Sequence, residues 1–249
     1  IRDVHGSPLN IGLYVDQCYD VGRIENVHFW PFNGPAEHKD FYFDYLAQVA
    51  RAFVFGRTDW EYVLNTFCWG YKIGYHYIET EHGSSNGNFV GIGADATCYS
   101  VLVEQVNPVT SGLLISNGEF VAMECEDSAA LVVADTNKGY VSLNNCAVWG
   151  PSDQIARISG SGRINIASCN FIHWDKNERN APAIECSGGN LSVSGSHFSN
   201  PMNKSFTAPH VAVREGTKAA VVYGNMCEGE WLAENEIGDS AQMGMNVGS

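Results

Sequence analysis

Nowhere in these 249 residues is there an apolar run long enough to span a bilayer, so neither a membrane-crossing helix nor a membrane partner is expected. Positive charge is scarce: 14 Lys and Arg stand against 28 Asp and Glu, giving a formal net charge of −14. Those basic residues are scattered along the chain, whereas phosphate recognition needs them clustered, so a nucleic-acid partner is excluded from the reading. The cysteines lack pairing motifs. Cys18, Cys68, Cys98, Cys125, Cys146, Cys169, Cys186 and Cys227 stand singly, with no Cys-x-x-Cys and no zinc-site spacing. Most sit among strand-like apolar residues, which points to buried free thiols, with one or two disulfides as the alternative. The chain opens at Ile1 without a visible signal segment and enters patterned sequence at once, and it is read as a mature form or an N-terminally incomplete one.

What is present is a 45% hydrophobic composition, enough to bury a sizeable core, with 26 glycines and frequent Asn. That mix favours many short strands joined by tight turns. A repeat follows. The spacing Asn-x-x-x-Trp occurs at Asn26–Trp30, Asn65–Trp69, Asn145–Trp149 and Asn170–Trp174, with degenerate copies starting at Asn117, Ser196 and Asn225. The steps between these starts are 39, 52, 28, 25, 26 and 29 residues, so 52 is two units and 39 is one unit carrying an insertion. Units of this length without a leucine-repeat pattern suit a parallel β-helix whose coils hold two or three short strands.

Alternating apolar stretches precede each corner, as in EYVL at 61–64, LLIS at 113–116, YVSL at 140–143 and RINIAS at 163–168. Asn suits the corner because it tolerates the left-handed conformation, and stacked Asn amides can bond one another. Past the corner, Val27 and Phe29, Thr66 and Cys68, and Cys146 and Val148 are expected inside, with one Trp per coil outside. The insertion PAEHKDFYFDYLAQVARAF at 35–53 reads as one α-helix near residues 36–51, lying across the coils near Trp30 and Trp69. The fold class is therefore all-β, a right-handed parallel β-helix solenoid of about 8 coils, with 1–249 as one domain and 230–249 as a C-terminal tail or cap.

GLYVDQCYDVGRIENVHFWPF, FGRTDWEYVLNTFCWGYKIG and GPSDQIARISGSGRINIASCNFIHW resemble the right-handed parallel β-helix proteins of the pectate-lyase-like superfamily. The likeness runs over roughly residues 1–230 as architecture. It implies a carbohydrate-active protein, since that group includes polysaccharide lyases, glycoside hydrolases, epimerases and phage tailspikes. It also implies a bacterial source and an extracellular or periplasmic location. The family-28 polygalacturonase signatures and the pectate lyase Arg-x-Pro-x-x-Arg pattern are absent, so no catalytic residue is carried over by motif.

Candidate chemistry comes from the residues themselves. Superimposing Asn26 on Asn65 places Asp20 above Asp59, one strand spacing or roughly 5 Å apart at the backbone, a separation compatible with a pair of glycosidase carboxylates. Asp20, Asp59 and Glu61 are the catalytic candidates, with turn formation as the plain alternative for both aspartates. Trp30, Trp60, Trp69, Arg57, His28 and Glu79 are the substrate-binding candidates: rings for sugar faces, and a guanidinium for a carboxylated sugar or for a local ion pair. His28 and His76 are expected on the outside, and Glu104 and Glu119 extend the acidic column. No compact oxygen-ligand loop is present, so neither metal nor cofactor is expected. The sequons at Asn190 and Asn203 read as chance matches. The reading is hydrolysis of a glycosidic bond in a polysaccharide or oligosaccharide. The alternatives are a lyase or a non-catalytic tailspike-like or carbohydrate-binding module, for which a homotrimer is the expected assembly.

Overall fold

The computed structural model describes residues 1–33, 36–202 and 207–249. Its organising element is a corner. Asp3, Asn26, Asn65, Gly91, Asn117, Asn145, Ser168, Gly195, Gly224 and Met245 all hold φ between 49° and 66°, and the parallel strand register stacks them in one column. A left-handed backbone costs an ordinary L-residue about 1 kcal/mol, which explains why Asn, Asp and Gly fill most of these places. The outward amides form a ladder: Asn26 Nδ2 donates to Asp3 Oδ1 (2.7 Å), Asn65 Nδ2 to Asn26 Oδ1 (3.4 Å), and Asn145 Nδ2 to Asn117 Oδ1 (2.7 Å).

Both limbs of the corner belong to a 17-stranded sheet, and each coil returns through one strand of a nine-stranded sheet. Every pairing between named strands is parallel, so the chain is a parallel β-solenoid with nine returns, one more than the sequence reading expects.

The core lies between the two sheets. Phe29, Cys68, Ala94, Phe120, Val148, Phe171, Phe198 and Cys227 form one inward column. They face inward-pointing rings and branched chains from the nine-stranded sheet, where Phe53 stacks on Tyr75 (4.8 Å) and Phe55 on Tyr77 (5.4 Å). Each large side chain buried this way contributes about 1.5–3 kcal/mol.

All eight cysteines are free thiols; Cys18 and Cys125 are half-buried and the rest buried. Two of them have a structural task. Just inside the corner, Gly118 N–H donates to Cys146 Sγ (3.4 Å), Cys146 N–H to Cys169 Sγ (3.5 Å), and Cys169 N–H to Ser196 Oγ (3.2 Å). Ser196 N–H then donates to Asn225 Oδ1 and Asn225 N–H to Asn246 Oδ1, each at 3.0 Å. Side-chain acceptors thus satisfy donors that bend away from the sheet ladder.

Several expectations are corrected. Asn170 is not a corner: it pairs with Ala147, and Ser168 takes the left-handed place opposite Asn145. Trp174 is consequently two residues farther from its corner than Trp149, follows a left-handed His173 (φ 65°) and lies inside, 2% exposed, edge-on to Phe198. Likewise Gly195 and Gly224, not Ser196 and Asn225, occupy the corners.

The α-helix runs Lys39–Val49 after a 3-10 turn at Ala36–His38, and Pro35 lies outside the described residues. It stops before residue 51 because Ala50 is extended and Arg51–Phe55 is a strand paired on both sides. Residues 230–249, expected as a tail or cap, carry strands that extend the solenoid. Ala233–Asn235 and Ala241–Gly244 continue the two sheets, with Met245 in the corner where neither Asn nor Gly marks it. Asn203 falls outside the described residues.

Candidate functional site

The strand Glu61–Trp69 separates the predicted site into two ends. Asp20, Arg57, Asp59 and Trp60 precede or open it, whereas Trp69 closes it, so the acids and the paired tryptophans do not share one groove. At the acidic end, Asp20 Oδ1 accepts the N–H of Val21 (2.7 Å) within its own turn. Cys18 bridges Thr58 there, one residue out of step with the Asn26–Asn65 register, which displaces Asp20 from its place above Asp59. Arg57 pairs with Asp59 at 3.8 Å, donates to the carbonyl of Thr58 (2.9 Å) and lies over the Tyr19 ring. Trp60 is left-handed (φ 60°), and its backbone N–H donates to Asn86 Oδ1.

Glu61 points into the solenoid and is 2% exposed. It sits against Gly22, where an added Cβ would come within 2.1 Å of Oε2. Oε2 has no hydrogen-bond partner, and burial pushes the carboxyl up to about 7. Glu79 is exposed in the turn after the strand Ile73–Tyr77. His76 alternates with the inward Tyr75 and Tyr77, but it is covered instead of exposed as expected. It is 5% exposed, with Nε2 at 2.9 Å from Glu104 Oε1, and burial holds its pKa below the usual imidazole value. Glu104 therefore belongs to the nine-stranded side and not to an acidic column with Glu119.

At the other end, aromatic rings gather. Trp30 and Trp69 do not stack directly; Phe32 sits between them, edge-on to Trp30 (5.8 Å) and tilted on Trp69 (5.1 Å). Phe43, on the helix, meets Trp69 at 5.4 Å, so the inserted helix does pack beside this pair. Along the neighbouring outward column His5 stacks on His28 (5.2 Å), His28 meets Phe67 (6.0 Å), and the Phe67 ring lies over Gly93, where a Cβ would be 2.7 Å away. Burial and the neighbouring His5 keep the His28 pKa low.

This ring track leads to Glu119, which follows Gly93 in the same register column. Trp149, 47% exposed, donates its indole N–H to Glu119 Oε1. Asp95 pairs directly with Trp69, at a bulge where the register with the next coil shifts and Ala96 becomes left-handed. Bulges of this kind re-aim a side chain locally. Burial raises the carboxyl pKa of Asp95 and of Glu119, and the Asp95 charge raises Glu119 further, against the lowering effect of the indole bond. Glu124 is raised by burial too, and it feels Asp95 and Asp44 as like charges and Lys176 as an opposite one. Two half-buried carboxyls between Trp69 and Trp149 thus form a site; of the two acids only Glu119 is among the residues singled out from the sequence, with Trp69 beside it. Asp95 escapes the sequence reading because its coil turns at Gly91 instead of Asn; the 52-residue step is the signal that a corner is hidden there.

Among the described residues no group of three His, Cys, Asp or Glu is placed to hold a metal ion, and no helix is long and apolar enough to cross a membrane. No family model matches the chain. Neither a curated protein nor a solved structure matches it.

Proposed function

We propose that the protein binds a polysaccharide or oligosaccharide along the track His5–His28–Phe67 and hydrolyses a glycosidic bond where that track meets Asp95 and Glu119. The observation that carries this reading is a pair of half-buried carboxyls, Glu119 sensitive to the charge of Asp95, beside exposed indole surface. Flat rings suit the apolar faces of sugars, and a carboxyl whose pKa is raised by burial and by a neighbouring acid holds its proton to higher pH than an ordinary one. Glu119 is the general acid: one oxygen is fixed by the Trp149 indole, which leaves the other for the leaving group. Asp95 is the base or nucleophile. Asp20 and Asp59 are assigned to the turn and the ion pair that hold them, and Glu61 to the interior.

The test is a panel of soluble polysaccharides. Reducing ends should appear without the absorbance of an unsaturated uronate, and Asp95→Asn should slow their release by about 10²–10⁴-fold, the usual weight of a general acid–base group. Uronate absorbance would replace hydrolysis with elimination, and undiminished turnover in the Asp95 variant would move the chemistry elsewhere. A second reading, a non-catalytic glycan-binding module, draws on the ring track extending over three coils away from the acids. It predicts retention on a glycan column with no reducing ends released, and the trimeric assembly belongs to it.

A further inference from the structure

Two pairs of cysteines lie side by side in this solenoid, and they differ in access. Cys146 and Cys169 are sealed in the core, each 1% exposed, with their sulfurs taken up by backbone N–H groups. Cys98 and Cys125 instead line one surface recess of about 330 Å³, together with Gln48, Lys72 and Glu124. The backbone sets them there. The loop carrying Cys125 enters with the N–H groups of Met123 and Glu124 on the Thr97 carbonyl (2.7 and 3.0 Å). It leaves with the N–H of Ala129 on the Cys98 carbonyl (3.1 Å). The loop therefore arches over the Thr97–Cys98 peptide and brings Cys125 to the recess that Cys98 lines, where the Cys98 thiol is directed at the carbonyl of Ala47 (3.9 Å). Lys176 clamps the arch from outside, its Nζ on the carbonyls of Met123 (2.7 Å) and Cys125 (2.5 Å).

We propose that Cys98 and Cys125 are a redox-active dithiol, converted to an intramolecular disulfide by exchange with a small disulfide such as oxidised glutathione. Cys125 is the attacking thiol. It is the more exposed of the two, and the neighbouring Cys98 thiol and the Lys176 ammonium favour its thiolate, although burial and Asp127 oppose that. Its sulfur attacks one glutathione sulfur, the glutathione disulfide bond breaks, and one glutathione leaves as a thiolate that takes up a proton. Cys98 then loses its proton and attacks the Cys125 sulfur, and the second glutathione leaves. Two protein thiols give up two electrons and two protons, all carried off on two reduced glutathiones. The new bond ties the arch to the coil beneath it, at the edge of the recess that Glu124 also borders.

The experiment uses the full chain, reduced and then equilibrated in glutathione buffers of graded oxidation, followed by alkylation and peptide mass mapping. The expected result is an intact mass lower by two hydrogens, a Cys98–Cys125 cross-linked peptide reversed by dithiothreitol, and Cys146 and Cys169 alkylated only after unfolding. Cys98→Ser should stop at one stable glutathione adduct on Cys125. The proposal is overturned if both thiols of the wild-type chain survive the most oxidising buffer. It is equally overturned if Cys125 keeps its glutathione while Cys98 stays free. The wild-type mapping decides the question even if a variant folds poorly.

Discussion

Glu61 and Glu119 lie in the same sheet, and burial raises the carboxyl pKa of both, yet they face opposite ways. Glu61 is directed inward between two glycine-bearing coils, at Gly22 and Gly87, with one oxygen lacking any partner. Glu119 faces outward, held by an indole N–H and sensitive to the charge of Asp95. Removal from water explains the shift in each case, so a raised carboxyl alone does not mark a reactive one. Access separates them. A ligand can reach the rim where Glu119 and Trp149 stand, whereas anything reaching Glu61 would have to open the solenoid.

The largest effect that tests this contrast comes from closing the space around Glu61. A Cβ on Gly87 would lie 2.2 Å from the Glu61 carbonyl oxygen and 2.8 Å from its nitrogen, and backbone atoms in a paired strand have little room to yield. Gly87→Ala is expected to cost about 3 kcal/mol, read as a lower urea midpoint at unchanged slope. An unaltered midpoint would mean slack between this coil and the strand that carries Glu61, and the close packing of its backbone would fail with it.

Of similar size is the effect of Glu61→Gln. Below the ordinary carboxyl value of 4.5 the group is protonated in both folded and unfolded chains, and stability is whole. Between 4.5 and about 7 the folded chain keeps a proton that the unfolded chain has lost, so stability falls as pH rises through that window. The loss approaches about 3 kcal/mol above pH 7. The Gln variant should lack this slope and be the more stable protein at pH 8 by about that amount; parallel curves for the two proteins would place Glu61 in contact with water.

How far the sequence carries depends on which residue fills the corner. Where Asn26, Asn65, Asn117 and Asn145 stand, both coil and register are legible, because an amide and a left-handed backbone go together there. At Gly91, Gly195 and Gly224 the same conformation comes without a side chain to signal it, and at Ser168 and Met245 the neighbouring strands impose it on a residue that disfavours it. Asn170 illustrates the cost. Its Asn-x-x-x-Trp spacing matches by coincidence, and Trp174 ends up inside. The candidate site suffered for the same reason: counting residues back from a corner holds only while strands pair, and Asp20 lies in a turn before pairing begins. Asp95 needed both the silent Gly91 corner and a bulge, and neither is written in local composition.

The smallest expected change in stability is at Glu119→Gln, and it sharpens the contrast most. The sign is the same as for Glu61, since a carboxyl raised in the folded chain loses stability as pH climbs through its folded value. Water reaches the Glu119 side of the sheet, however, and screens the charge, while a Gln carbonyl still accepts the Trp149 indole N–H. The midpoint should therefore move by less than about 0.5 kcal/mol, the range of an ordinary surface replacement. Glycan turnover, in contrast, should fall by about 10²–10⁴-fold with binding retained. Differential scanning measurements alongside reducing-end assays on one preparation settle both halves. A variant that gains stability as Glu61→Gln does, yet keeps its turnover, would make Glu119 a confined carboxyl as well and leave the outer face without its acid.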